Sequence, residues 1–249
     1  MEKSDFIKRI EDLSERSERN SELTCTAFLT PAEQYELAEW AAKNKDAAPY
    51  LSGGRDDAER KIAFFLPWYI QGEELEINKY ITAIKIQSFF GEPGHRDYLG
   101  AILGLGINRD RIGDIIVIGS AAYVLCVPSV AKALLTQLEK VGRCGVKLSE
   151  IEIKSIPPVE KKTRKLNFTV KSLRLDAVTG DVFGISRTKA AEYIRYGAVS
   201  LNYSVCQQTD AEIKEGDVIS LRGKGKASIT SVGGRSKKDR LFIEAEILL

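Results

Sequence analysis

His95 is the sole histidine of the 249-residue chain, so any Ser-His-Asp or Cys-His mechanism would have to pass through it. Cys25, Cys126, Cys144 and Cys206 stand far apart, form no C-x-x-C pair and have only that one histidine as a companion ligand. They suggest neither a zinc site nor a disulfide framework, and Cys126 and Cys144 read as small buried hydrophobes. The glycine-rich stretch HRDYLGAILGLGINRDRIGDI, residues 95–115, misses G-x-G-x-x-G because Arg109 takes the third glycine's place, and no Walker lysine follows. With no general acid/base pair or activated nucleophile standing out, the expectation is no catalytic residue, no cofactor and no metal.

The chemistry on offer is cationic. Residues 1–160 carry 20 basic against 25 acidic side chains, a net −5, whereas residues 161–249 carry 17 against 10, a net +7. The excess sits in KKTRK (161–165), RGKGK (222–226) and RSKKDR (235–240). Such clusters on a short terminal domain attract phosphate backbones, because neutralising phosphates releases condensed counterions. A helix entered at Ser186 exposes Arg187, Lys189 and Arg195 and turns Ala190, Ala191 and Ile194 inward, and its N-terminus offers N–H donors to a phosphate. The expected RNA contacts among these are Ser186, Arg187, Thr188, Lys189, Arg195, Arg222, Lys224 and Lys226.

A second group, His95, Arg96, Arg109 and Arg111, is a possible further RNA contact, weighed evenly against an arginine-carboxylate lattice using Asp97, Asp110 and Asp114. Arg55 and Arg60, near Gly53-Gly54, read more simply as surface arginines closing a turn than as phosphate ligands.

These residues need elements to hold them. Phe6, Ile7, Ile10 and Leu13 fall at helical spacing from Ser4 to about Glu18, and Thr30, Pro31 and Glu33 open a second helix with a capping box. DDAER reads as a short helical start and IAFFLPWY as a buried strand-like run. From Tyr80 to Lys154 come a strand, a helix, a tight hairpin, a helix from Pro128 to Gly142 and a last strand, the βαββαβ order of the split ferredoxin-like plan. Its aliphatic strands lack the aromatic pair that ribonucleoprotein sheets use to stack bases, which argues against a single-strand RNA platform of that particular kind there. After Pro157-Pro158 come helices over about Leu173–Val182 and Ser186–Gly197, then short strands. The expected class is α+β: a helical and mixed region over 1–78, a ferredoxin-like domain over 79–156, a linker and strand over 157–170, and an RNA-binding domain over 171–249. The longest apolar approach, Ile115–Val130, is broken by glycine, serine and proline, and the N-terminus has no apolar signal core, so the expectation is a cytoplasmic protein without a membrane span.

Arg174-Leu175-Asp176, Ser186-Arg187, the run from Gly197 to Asn202, and Gly216-Asp217 together resemble the S4 RNA-binding domain. Tyr203 departs from that pattern, where many such domains have glycine, and the resemblance adds Arg174, Asn202 and Tyr203 to the expected RNA contacts. The whole chain, through GHRDYLGAILGLGINRDRIGDI and GGRDDAERK, is similar to the YlmH family of bacterial S4-domain proteins. The resemblance implies a non-enzymatic role in ribosome-associated quality control, with large-subunit ribosomal RNA, tRNA and stalled ribosome complexes as partners. One alternative is an RNA-modifying enzyme, since RLDAVTG (174–180) is similar to the catalytic segment of pseudouridine synthases and would make Asp176 the nucleophile. Against it, Asp181 stands where that motif has glycine, and only 69 residues follow Gly180. A second alternative is a nucleic-acid-binding cell-division accessory.

Overall fold

A computed structural model describes residues 4–158, 163–236 and 238–248. Lys161, Lys162 and Lys237 of the basic runs lie outside the described residues. The fold is mixed α+β, and the chain divides into two compact units, Met1–Val159 and Glu160–Leu249.

The first unit opens with α1 (Asp5–Asn20), whose N-cap Ser4 hydroxyl accepts from the Ile7 N–H at 3.2 Å. After β1 (Thr24–Cys25), α2 (Pro31–Lys43) begins with the expected reciprocal cap: Thr30 Oγ1 accepts from Glu33 N, and the Glu33 carboxylate accepts from Thr30 N at 2.7 Å. β2 (Tyr50–Ser52) and β3 (Ile62–Phe65) complete an antiparallel sheet in the order β1-β3-β2.

All four residues of β3 are buried, because the strand is covered on both faces. Ala63 and Phe65 join Ile10, Leu37 and Trp40 of the two helices, while Ile62 and Phe64 join Phe28, Ala83 and Leu125 in a second cluster. Between β2 and β3, DDAER forms turns rather than a helix. The N–H groups of Glu59 and Arg60 are taken by the Asp114 carboxylate at 2.7 and 3.0 Å, and Arg55 turns back on Asp57. Gly53 is required there, since a Cβ would lie 2.4 Å from the Arg60 carbonyl oxygen.

β4 (Thr82–Ser88), α3 (His95–Leu103), β5 (Ile112–Ile118), β6 (Ala121–Cys126), α4 (Pro128–Gln137), β7 (Lys140–Val141) and β8 (Cys144–Ile151) follow. Their sheet runs β5-β6-β4-β8-β7 with every neighbour antiparallel, so β6 lies between the strands flanking α3, as the split plan requires. α4 stops five residues before Gly142. Leu138 is extended, and Gly142, at φ +58°, turns a small hairpin between β7 and β8 instead of ending a helix. Ile84, Ile86, Val124 and Cys126 face the helices, and burial pushes the Cys126 thiol up to about 12, with Glu150 adding to the effect. Cys144 is only half-buried, contrary to the expectation of a core residue.

The second unit holds β9 (Thr163–Val170), α5 (Leu175–Phe183), α6 (Arg187–Arg195), β10 (Val199–Leu201), β11 (Ser204–Val205), β12 (Val218–Leu221), β13 (Gly225–Arg235) and β14 (Leu241–Leu248). The strands form one antiparallel sheet in the order β11-β10-β12-β13-β14-β9. Both helices pack on one face of it, Val178, Val182 and Ile194 against Ile219, Ala227, Ile243 and Ile247. No helix among the described residues is long and apolar enough to cross a membrane.

Candidate nucleic-acid interface

Two internal latches organise the second unit, one joining Asp176 to Arg174 and Arg187, the other Asn202 to Asp217. Asp176, in the first turn of α5 and only 5% exposed, accepts from Arg174 Nε and Nη2 at 3.3 and 3.2 Å and from Arg187 Nη2 at 3.1 Å. Burial would raise its pKa, but the hydrogen bonds from the two guanidiniums outweigh that and hold the carboxyl below the usual carboxylate range. The same bond raises Arg174. Arg174 is thus fixed beside α5, where Leu175 and Asp176 also donate their N–H groups to the Ala211 and Thr209 carbonyls. Asp176 anchors a helix start, its oxygens engaged by cations.

The second latch ties a β-turn to a loop. Asn202 and Tyr203 link β10 to β11 with φ of +48° and +68°, the left-handed pair of a two-residue hairpin. Asn202 Nδ2 donates to Asp217 Oδ1 at 2.8 Å, its Oδ1 accepts from Val218 N at 2.9 Å, and Asp217 Oδ2 accepts from Lys214 N at 2.7 Å. The amide of Asn202 is therefore directed into the fold rather than outward. Asn202→Ala removes two hydrogen bonds, leaves the buried Asp217 short of a donor and puts a poor left-handed residue in the turn. The expected loss is about 2 kcal/mol of unfolding free energy, read by urea denaturation; an unchanged midpoint would show that the latch contributes nothing.

Above these latches α6 presents its polar face. Ser186 caps it, accepting from Lys189 N at 3.2 Å, while Ala190, Ala191 and Ile194 are buried. Arg187, Thr188, Lys189 and Arg195 are exposed, and Lys189 Nζ lies 6.0 Å from the centre of the Tyr193 ring. Arg222 and Lys224 project from the turn between β12 and β13, which the Arg222 N–H bonds to the Ala198 carbonyl just beyond α6.

Lys226 does not join them. Its neighbour Ala227 faces the helices, so alternation puts Lys226 on the opposite side of the sheet, 5.5 Å from the centre of the Tyr203 ring. Sequence reasoning missed two cations beside Arg187. Lys171 and Arg240 line with it a cavity of about 190 Å³ that also contains Asp181, and Arg240 Nε donates to Thr169 Oγ1 at 2.9 Å. The basic run 235–240 was the available signal for Arg240, but only the pairing of β14 with β9 brings it to α5.

In the first unit the arginines are divided. Arg109 Nη1 donates to the Ile112 and Gly113 carbonyls at 2.6 and 3.1 Å, and burial, with Arg60 nearby, lowers its pKa. Arg60 reaches the Ile112 and Phe28 carbonyls, and Arg55 those of Ile156 and Pro157. The guanidiniums here bind backbone carbonyls and the Asp114 carboxylate binds backbone N–H groups, while the Asp114 charge also acts on Arg60 and Arg109. Asp97 caps α3 by accepting from Gly94 N at 2.8 Å. Arg109 is therefore occupied inside the fold, as are Arg55 and Arg60, whereas His95, Arg96 and Arg111 are exposed.

A family profile described as "Putative RNA-binding domain in YlmH" matches residues 73–155, the stretch that contains β4 through β8. "Ribosome-associated protein quality control protein P2" of Bacillus subtilis is 34% identical over 223 residues, covering 89% of this chain and 86% of the relative. Among solved structures, "Cell division protein ylmH from Streptococcus pneumoniae" shares the fold with a TM-score of 0.52 at 24% identity, covering 60% of this chain and 90% of that one. Sequence likeness sustained over nearly the full length of both chains, with the profile falling on the βαββαβ sheet, establishes that the chain belongs to the YlmH family.

Proposed function

We propose that this chain is a non-enzymatic RNA-binding factor of ribosome-associated quality control, which associates in the cytosol with the large ribosomal subunit of stalled complexes and holds their peptidyl-tRNA. The observation that carries the reading is the exposed face of α6, where Arg187, Lys189 and Arg195 stand on a helix fastened from below by Ala190, Ala191 and Ile194. The name of the Bacillus subtilis relative supports the quality-control context.

On this reading residues 171–249 are an S4 domain, preceded by the 157–170 linker and strand, and residues 79–156 a ferredoxin-like domain after the 1–78 region. Arg187, Lys189, Arg195, Arg222 and Lys224 contact phosphates, with Ser186 and Thr188 at the helix start. Arg174 and Asn202 hold the surface in shape, while Tyr203 and Lys226 extend it on the other side of the sheet. Asp176, engaged by two guanidiniums, serves as an anchor rather than a nucleophile.

Sedimentation of the tagged chain through sucrose gradients of lysate, with the comigrating RNA sequenced, tests the proposal. Migration with free large subunits and enriched tRNA is expected, weakening as salt rises. A chain that stays at the top of the gradient without enriched RNA overturns the ribosomal reading.

A further inference from the structure

The outer face of the β5-β6-β4-β8-β7 sheet, away from α3 and α4, has two dissimilar ends. At the start of β4, Ala83 and Leu125 lie in one apolar cluster with Phe28, Ile62, Phe64 and Ile156, and Tyr123 and Ala121 of β6 carry that cluster on beside Lys85 and Gln87, so the sheet is covered at that end and along β6, and its open part is the β4–β8 side. At the other end, the pairs Lys85↔Ser149 and Gln87↔Lys147 place these four side chains on the same face. Phe89 continues the ladder, its N–H donating to the Gly145 carbonyl at 3.0 Å.

The Phe89 ring lies across Gly145, where an added Cβ would come within 3.0 Å of Cδ2, yet the residue remains 68% exposed. One side of the ring is braced on backbone and the other is open. Phe90 beside it is 61% exposed. Lys147 is exposed, Lys85 half-buried, and the Gln87 amide is held by Ser120 Oγ at 2.9 Å. Of the residues that β4, β6 and β8 turn to this face, the charged ones are both lysines.

We infer that this open end is a stacking site for single-stranded RNA, taking one unpaired base on the Phe89 ring and the adjoining phosphates on Lys85 and Lys147. The inference rests on the RNA-binding reading above and gives it a second contact, separate from α6. A braced aromatic ring flanked by cations suits a base and its phosphates. The polar neighbours Gln87, Lys147 and Ser149 offer an apolar protein partner little area to bury.

Fluorescence anisotropy of the full chain with a labelled single-stranded uridine octamer and with a folded tRNA transcript provides the test. Phe89→Ala and Phe89→Leu should each weaken octamer binding by about tenfold, Phe89→Trp should preserve it, and Lys147→Gln should lower its salt slope by about one unit. tRNA affinity should change by less than about twofold, because the α6 cations carry it. Octamer affinity unaltered by Phe89→Ala, or a wild type that binds tRNA but not the octamer, overturns the inference and leaves the α6 reading standing. Wild-type protein that binds neither RNA overturns both.

Discussion

Asp176→Ala lowers the unfolding free energy by about 2 kcal/mol at neutral pH. Breaking a buried ion pair by removing one partner typically costs about 3–5 kcal/mol. The figure is reduced here because Arg174 and Arg187, 38% and 56% exposed, regain water once released. The loss has a pH signature of definite sign. The folded-state pKa of Asp176 is depressed, so in acid the unfolded chain binds the extra proton first. The stabilisation is complete above the ordinary carboxylate range and disappears as pH falls through the lower folded value. The difference between wild type and Asp176→Asn, followed by urea denaturation from pH 7 downward, should therefore narrow only in acid. A difference that is absent at pH 7, or constant across the acid range, would mean that the Arg174-Asp176-Arg187 contact does not support α5.

The Lys189→Ala/Arg195→Ala double variant weakens folded-RNA binding by about tenfold or more at moderate salt and reduces the slope of log K against log salt by about two units, one per lost phosphate contact. These two residues are chosen because both are exposed on α6 and neither holds a latch, whereas removing Arg187 would also strip a partner from Asp176. Thermal unfolding should be nearly unchanged, which separates lost contact from lost fold. Anisotropy titrations of a tRNA transcript at several salt concentrations supply the slope. If slope and affinity match wild type, the RNA-facing surface lies elsewhere on the second unit.

Local signals were legible where the residues involved are neighbours. The capping box at Thr30-Glu33, the cap at Ser186, the inward Ala190, Ala191 and Ile194, and the βαββαβ order all followed from spacing, because each depends on contacts within a turn or on the alternation of a strand. The helical start expected at DDAER gives way to turns for a non-local reason: the N–H groups of Glu59 and Arg60 are claimed by Asp114, more than fifty residues away. Gly142 reads as a helix stop in the sequence, and only the pairing of β7 with β8 makes it a hairpin turn.

The candidate site divides along the same line. Sequence alone determined that the cations gather in the last third of the chain and that one short helix shows several of them, since charge and periodicity are properties of the chain itself. Only the tertiary structure decided which cations of either unit face outward. Asp176 draws on Arg174 and Arg187, backbone carbonyls absorb Arg55, Arg60 and Arg109, and strand alternation sends Lys226 to the far side of the sheet. An arginine carries the same charge at any position in the chain, but whether it meets a carbonyl, a carboxylate or water depends on what folding brings within about 3 Å of it.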